Sequence, residues 1–446
     1  MNDRLNNPTA SIATLGCKTN QFESAAMEER LRAAGFTVRP FEEGADLVIV
    51  NTCTVTAATD AQSRNLIRRA RRLRPDCRVV VTGCYAQVDP ESLARIPGVS
   101  LVLGNDEKED LLRLLSREDG GAICVSERPS APSTGTSVHS SYGERSRAFL
   151  QIQNGCDAFC AYCIIPYARG RSRSVLADQV LEQVRRLFAA GYPEVVLTGI
   201  HIGGYGSDLE PKTSLLELVR RIEGETPVRR LRLGSIEPTE ITPALIDAVT
   251  SSEILCPHFH IPLQAGDDPI LKLMNRHYTT AFFRQLVFDI RSRLPEAAIG
   301  LDVIVGFPGE SEESFQRTLS FIESLPVTHL HVFPFSRRSG TPAATMAGQV
   351  PGDVAKQRAS MLRDLGEEKN RNFAETFIGR TLELVVEGTK SGGLYKGLSR
   401  NYLPVFFRAP AGLEGERVRV LVTGGTSAGL QGIEAEGHPP PASGKP

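Results

Sequence analysis

The sequence predicts an α/β protein in three folded parts: an N-terminal Rossmann-like or flavodoxin-like parallel sheet, a partial (β/α)6 barrel, and a small C-terminal antiparallel β-barrel. Three observations predict it. The chain has 446 residues, and single hydrophobic cores stop growing beyond ~250–300 residues. Over most of its length short apolar runs alternate with helical stretches, as buried parallel strands and their crossover helices do. The last part changes to short β runs separated by glycine turns, which suits a small closed barrel.

The elements follow in order. From Ser11 to about Val125 the chain reads SIATLG, a helix from Glu23 to Ala34, DLVIVNTC, a long helix, RVVVTGC, a helix from Pro90, and SLVLGN. Right-handed crossovers join such strands into one open sheet. Cys17, Cys53 and Cys84 are spaced by one βα unit each and so fall at strand carboxyl ends, the edge where open sheets bind ligands. A Pro, Ser, Thr and Gly-rich stretch, RPSAPSTGTSVHSSYGERSR, reads as a linker. Six more strand-like runs follow: FLQIQ, EVVLTG, RLRLGS, HFHIPLQ, GLDVIVG and HLHVFPFS. Each precedes a helical stretch, which makes an incomplete parallel barrel whose strand-end rim is the active face. A charged helical stretch over 354–379 leads into TLELVVEG, LYKGLSRN, LPVFF and ERVRVLVTG. The expected domains are 9–125, a linker 126–144, the barrel 145–370, the small barrel 371–436 and a disordered tail 437–446.

Composition narrows the function. With 51 Lys+Arg against 52 Asp+Glu the net charge is −1, which argues against tail-mediated polyanion binding. No apolar run is long enough to span a bilayer and the start lacks a secretory pattern, so a soluble, cytoplasmic protein is expected. The nine cysteines, at 17, 53, 77, 84, 124, 156, 160, 163 and 256, then sit where structural disulfides are disfavoured.

Cys156, Cys160 and Cys163 form CxxxCxxC in the loop after the first barrel strand. Three thiols there can reach three corners of a 4Fe-4S cube and leave one iron open to substrate or cofactor. The spacing by itself also admits a zinc site with a further ligand, or structural thiols.

With Tyr162 before the last cysteine, on the first strand of a partial βα barrel, this cluster resembles the radical S-adenosylmethionine (SAM) superfamily. The segments TLGCKTNQFES, NTCTVT and TGCYAQ resemble the methylthiotransferase N-terminal domain. CIIPYARGRSRS, LTGIHIGGYG, IPLQAG, MNRHYT, DVIVGFPGE and HVFPFSRRSGTPA continue the likeness through the barrel. The small barrel stands in the place of the family's TRAM domain, so all but the termini are covered. Within the family, GCKTN, NTCTVT, YCIIPYARG and LTGIHIGGYG are most similar to the branch acting on N6-threonylcarbamoyladenosine in tRNA. Ala265 departs from the serine expected in IPLQ(S)G, which removes any hydrogen bond from that side chain.

The resemblance implies two 4Fe-4S clusters, a radical SAM cluster on Cys156, Cys160 and Cys163 and an auxiliary cluster on Cys17, Cys53 and Cys84. It implies SAM at the barrel mouth, with Ser235, Glu237, Gln264 and Gly306 as contacts and the backbone of VIVGFPGE and HVFPFS around the adenine. Gly306 and Gly309 read as positions of close backbone approach. A deoxyadenosyl radical would take hydrogen from adenine C2, and the auxiliary cluster would supply sulfur methylated by a second SAM. The product would be 2-methylthio-N6-threonylcarbamoyladenosine next to the anticodon. The two triads are expected to face each other across a substrate-sized gap.

Arg169, Arg171 and Arg173 read as phosphate ligands. Arg64, Arg68, Arg69, Arg71, Arg72 and Arg74 read either as phosphate ligands or as a solvated helix face. In the last domain Lys396, Arg400, Tyr402, Phe406 and Phe407 interleave basic and aromatic residues, which suits RNA contact, although the phenylalanines equally suit a core. His201 and His260 read as satisfied core histidines, and Cys77, Cys124 and Cys256 as packing residues. Expected partners are the tRNA anticodon loop and an electron donor, with no membrane, and a monomer. The alternatives are a methylthiotransferase acting on isopentenyladenosine or on a ribosomal-protein aspartate, and a non-catalytic iron-sulfur RNA-binding protein.

Overall fold

The computed structural model describes residues 7–116, 122–127, 146–390, 393–409, 412–426 and 429–435. The expected linker beyond residue 127 and the expected tail 437–446 lie outside the described residues. The chain divides into two compact units: Met1–Ser141 with Gln153–Val175 and Ser336–Ala344, and Tyr142–Ile152 with Leu176–Phe335 and Thr345–Pro446. The CxxxCxxC loop and the SRRSGTPA segment therefore pack with the N-terminal sheet, across the boundary expected at residue 145.

The first unit holds a six-stranded parallel sheet in the order Thr37–Val38, Thr9–Thr14, Leu47–Thr52, Arg78–Gly83, Val99–Leu103, Ala122–Cys124. The two edge strands are too short to stand out in the sequence. Alternate residues feed opposite cores: Val48, Val50, Val79 and Val81 pack with Ile67 and Ala70 of the helix Ala57–Leu73. Ile49, Val80 and Leu101 pack with Met27 and Leu31 of the helix Lys18–Ala33. Burial on both faces is why these strands read as unbroken apolar runs. The helix Lys18–Ala33 starts five residues before the expected Glu23, because its first turn is polar. The helix Ala57–Leu73 opens with a capping box between Thr56 and Thr59, which satisfies two otherwise orphaned donors.

In the second unit six parallel strands form two three-stranded sheets. Arg147–Gln151, Glu194–Thr198 and Leu231–Leu233 make one, and His258–Gln264, Ala298–Val305 and His329–Pro334 the other. Bridges at Leu231/Leu255 and Ser235/His260 join them into the continuous partial barrel that was expected. The helix Gly352–Glu375 runs across the expected boundary at 370/371.

The C-terminal five strands close into a barrel: Thr381–Lys390, Leu394–Ser399, Pro404–Arg408, Gly429–Glu434, Arg417–Thr426. One pair, Pro404–Arg408 with Gly429–Glu434, is parallel, so the barrel is not purely antiparallel. This arrangement resembles OB-type closure. Its core includes Val386, Tyr395, Val405, Phe407, Val418 and Leu430. Among the described residues no helix is long and apolar enough to cross a membrane.

Candidate functional site

Cys17, Cys53 and Cys84 follow three adjacent strands whose ends are level, since Thr14 pairs with Asn51 and Asn51 with Thr82. Neighbouring strands lie ~4.8 Å apart, so the three loops leave one edge of the sheet as a compact group. The strand order reverses between the first two of them, which is the switch point where such sheets open a crevice. Cys17 is exposed, while Cys53 and Cys84 are buried. Burial and the neighbouring Cys84 and Cys17 push the Cys53 thiol up to about 11.

Two glycines make this convergence possible. A Cβ on Gly16 (φ +90°) would lie 2.7 Å from Cys53 Sγ, and one on Gly83 (φ +98°) would lie 2.3 Å from the Thr52 carbonyl oxygen. Only glycine adopts these angles without strain and leaves that space. Three sulfurs at adjacent strand ends, with backbone pressed close around them, fit a three-cysteine iron-sulfur site.

A polar network underlies the triad. Asn20 Nδ2 donates to the carbonyls of Leu15 (2.7 Å) and Thr52 (2.9 Å), in the loops carrying Cys17 and Cys53. Asn20 Oδ1 accepts from Arg169 Nη2 at 2.6 Å, and Arg169 Nε donates to Cys84 Sγ at 3.2 Å. Arg169 also pairs with Glu23 at 2.6 Å and has no exposed side-chain surface. Burial would raise the Glu23 carboxyl, but Arg169 and Lys108 outweigh that and hold it at about 2. This placement corrects the expectation of an RNA phosphate at Arg169: the guanidinium is enclosed and its donors are taken.

The CxxxCxxC loop is shaped by Cys156 N donating to the Gly170 carbonyl (3.1 Å) and Cys163 N to the Cys160 carbonyl (2.9 Å). Cys160 is buried, and Cys156 and Cys163 are half-buried. The SRRSGTPA segment ties this loop to the triad's surroundings. Ala343 N donates to the Ala161 carbonyl at 2.9 Å. Arg338 Nη2 donates to Thr54 Oγ1 at 2.6 Å and pairs with Asp60.

In the second unit the expected cofactor residues differ in availability. Ser235 is exposed at its strand end. Gln264 sits at a bulge with φ +67°, a conformation that is costly for a non-glycine residue and is found at functional sites. Glu237 is taken up in a two-point ion pair with Arg276, which also reaches the Pro262 carbonyl. Gly306 has φ +73°, and a Cβ there would meet Ala355 Cβ at 2.5 Å. Its N–H donates to both Glu310 carboxylate oxygens at 3.1 Å. Glu310 is paired in turn with Arg358 at 2.6 Å, although burial still holds its carboxyl above the ordinary value. Ala265 is buried.

The histidines are paired with carboxylates. His201 pairs with Glu240 at 2.7 Å, and His260 Nε2 lies 2.8 Å and His331 Nδ1 3.4 Å from Asp302 Oδ1. These contacts satisfy one another, and they hold the Asp302 carboxyl well below its usual range against the effect of burial.

Among the basic residues, Arg171 is exposed and lies 3.1 Å from Asp157. Arg173 is largely buried and lies 3.9 Å from Asp106. Arg68 and Arg72 are exposed, whereas Arg64 donates to Tyr85 Oη and Arg71 to the Cys77 carbonyl. Arg69 lies 3.5 Å from Glu42, and Arg74 pairs with Asp46. Lys396 pairs with Glu387 at 2.8 Å and keeps 40% of its side chain exposed. Arg400 donates to the Leu255 carbonyl at 2.8 Å. Phe406 and Phe407 are buried, so the base-stacking reading of those two rings is replaced by a core role, and the half-buried Tyr402 packs against His258 and Arg232. Cys77 and Cys256 are buried and Cys124 lies on an edge strand.

Comparison with known proteins agrees with these features. Residues 9–104 match a family described as uncharacterised protein family UPF0004, and residues 150–322 match the radical SAM superfamily. The chain is 40% identical over 424 residues to the threonylcarbamoyladenosine tRNA methylthiotransferase MtaB of Bacillus subtilis, covering 93% of each chain. It is 38% identical to the protein of the same name from Rickettsia prowazekii, covering 90% of this chain and 91% of that one. In fold it resembles the radical S-adenosylmethionine methyltransferase TsrM from Kitasatospora setae, with TM-score 0.55 and 17% identity over 76% of this chain and 77% of that one.

Proposed function

Because the chain belongs to the radical SAM methylthiotransferase family, we propose that it adds a methylthio group to C2 of N6-threonylcarbamoyladenosine next to the anticodon of tRNA. The observation that carries this reading is the gathering of Cys17, Cys53 and Cys84 at level ends of adjacent strands, in one compact unit with the CxxxCxxC loop. A single-cluster radical enzyme has no use for the first triad.

Cys156, Cys160 and Cys163 would hold one 4Fe-4S cluster and Cys17, Cys53 and Cys84 the other. Together with SAM, these groups supply hydrogen abstraction from an unactivated carbon and the transferred sulfur, chemistry no side chain offers. The protein's residues bind and orient. Ser235 and Gln264 are the polar strand-end groups offered to SAM, Gln264 from a bulge in its strand. Glu237 acts through Arg276, bracing the strand ends. Gly306 shapes the loop 306–310, with its amide already committed to Glu310.

The barrel at 371–436 is read as the TRAM-like RNA-binding domain, with Lys396 and Arg400 toward phosphate. Arg171, Arg68 and Arg72 are the exposed cations of the first unit suited to the same task. A cytoplasmic monomer fed by an electron donor completes the reading.

Mass spectrometry of tRNA nucleosides from a deletion strain tests it. The expected result is loss of 2-methylthio-N6-threonylcarbamoyladenosine with retention of its unmethylthiolated precursor. Loss of the isopentenyladenosine derivative instead, or of a modified ribosomal aspartate, would move the substrate. Absence of 5′-deoxyadenosine from SAM under reducing conditions would reduce the protein to an RNA-binding one.

A further inference from the structure

We infer that Asn20 and Arg169 form one positioning unit for the N-terminal cysteine triad, in which Arg169, carried on the segment after the CxxxCxxC motif, sets the reduction potential of the cluster bound by that triad. The inference rests on the reading that Cys17, Cys53 and Cys84 ligate an iron-sulfur cluster.

Asn20 and Arg169 divide the work between backbone and sulfur. Asn20 holds the Leu15 and Thr52 carbonyls, fixing the approach of the loops to Cys17 and Cys53. Through Oδ1 it also fixes the plane of the Arg169 guanidinium. Two further acceptors, Glu23 and Asn154, occupy Nη1. Nε is thereby left facing Cys84 Sγ at 3.2 Å. The five donors of a guanidinium lie in one rigid plane, so anchoring Nη1 and Nη2 determines where Nε points.

A cationic N–H donor on a ligand sulfur stabilises the added electron of a reduced cluster and raises its potential. The effect is strengthened by burial, where charge is weakly screened, and neither Arg169 nor Cys84 is open to solvent. Arg169 lies six positions after Cys163. The loop of one triad thus supplies the electrostatic environment of the other, and all of these residues belong to the first unit.

The test uses the full-length chain with Cys156, Cys160 and Cys163 each changed to alanine, reconstituted anaerobically so that only the N-terminal site can hold iron. Iron and sulfide are counted, and the potential is measured by EPR-monitored titration. On this background Arg169→Gln is expected to retain the cluster and shift its potential downward. Arg169→Lys keeps the charge but cannot span Glu23, Asn20 and Cys84 together, so its potential should fall between the two. Asn20→Ala should lower iron loading by releasing two loops at once. Equal potentials in the parent and Arg169→Gln overturn the inference. If Arg169→Gln does not fold, equal potentials in the parent and Arg169→Lys overturn it as well. A parent chain that binds no iron refutes the cluster reading instead, so the two failures are distinguishable.

Discussion

Replacing Glu194 with glutamine should loosen the C-terminal barrel from the strands it rests on. Glu194, Arg230 and Arg232 have no exposed side-chain surface. The carboxylate receives Arg230 at 2.7 Å and Arg232 at 2.8 Å. The same guanidiniums continue to the carbonyls of Leu398 (3.2 Å), Ser399 (3.2 Å) and Arg400 (2.8 Å) in the barrel. Burial opposes the ionised carboxylate, but Arg232 and Arg230 outweigh it and hold the group at about 2 against an ordinary 4.5. At ~1.36 kcal/mol per decade this corresponds to a few kcal/mol. Breaking a buried pair by removing one partner typically costs about 3–5 kcal/mol, because uncompensated charge is left behind.

Because the chain has no tryptophan, hydrogen exchange read by mass spectrometry over 231–233 and 394–408 is the suitable assay. A loss of ~3 kcal/mol corresponds to a roughly hundredfold rise in local opening. Because the folded carboxyl is depressed, the contribution is complete above pH 4.5 and lost as pH falls toward about 2. Unchanged exchange in Glu194→Gln would refute the reasoning.

Three further outcomes are expected. Gly83→Ala forces a Cβ into the Thr52 backbone just before Cys84, so the protein should load the iron of one cluster rather than two, read by iron and sulfide analysis. Burial, then His260 and His331, hold His329 down at about 3 from an ordinary 6.5. The unfolded chain therefore takes up a proton that the folded one refuses, and stability should fall by ~1 kcal/mol from pH 6.5 to 5.5; His329→Asn should flatten that slope in urea titrations followed by circular dichroism. Glu310→Gln weakens the hold on Gly306 N and on Arg358, and SAM affinity measured by equilibrium dialysis should drop about tenfold, or ~1.4 kcal/mol; unaltered affinity would show that this loop does not shape the site.

The cores were legible in the sequence because their cause is periodic. Strands buried on both faces must be continuously apolar, and Val48–Val50 and Val79–Val81 meet that requirement in two different clusters. The cysteines were legible because strand ends and motif spacing are local properties. What stayed hidden depends on partners distant in the chain. The edge strand Thr37–Val38 is defined by its pairing with Thr9–Thr14, and the parallel pair closing the small barrel joins strands whose order no periodicity states. Phe406 and Phe407 beside Lys396 matched the composition of an RNA surface, yet an aromatic ring in a small barrel fills the core more readily than it stacks bases.

Arg169 shows where such reading stops. In YARGRSR the arginines at 169, 171 and 173 look alike, and three closely spaced cations suggest phosphate. The fold separates them: Arg171 is 76% exposed, Arg173 is 14% exposed, and Arg169 is sealed against Glu23, Asn20 and Cys84. Isolated, a buried guanidinium would be prohibitively unfavourable, so its burial requires acceptors already waiting. Two of those acceptors are on the first cysteine motif, as Asn20 of GCKTN and Glu23 of NQFES. The polar first turn that hid the helix Lys18–Ala33 therefore has a cause: its side chains answer to a cation some 146 positions away. A polar first turn that the fold buries, as Thr19 and Asn20 are buried here, is the kind of local mismatch that marks a functional contact in a sequence.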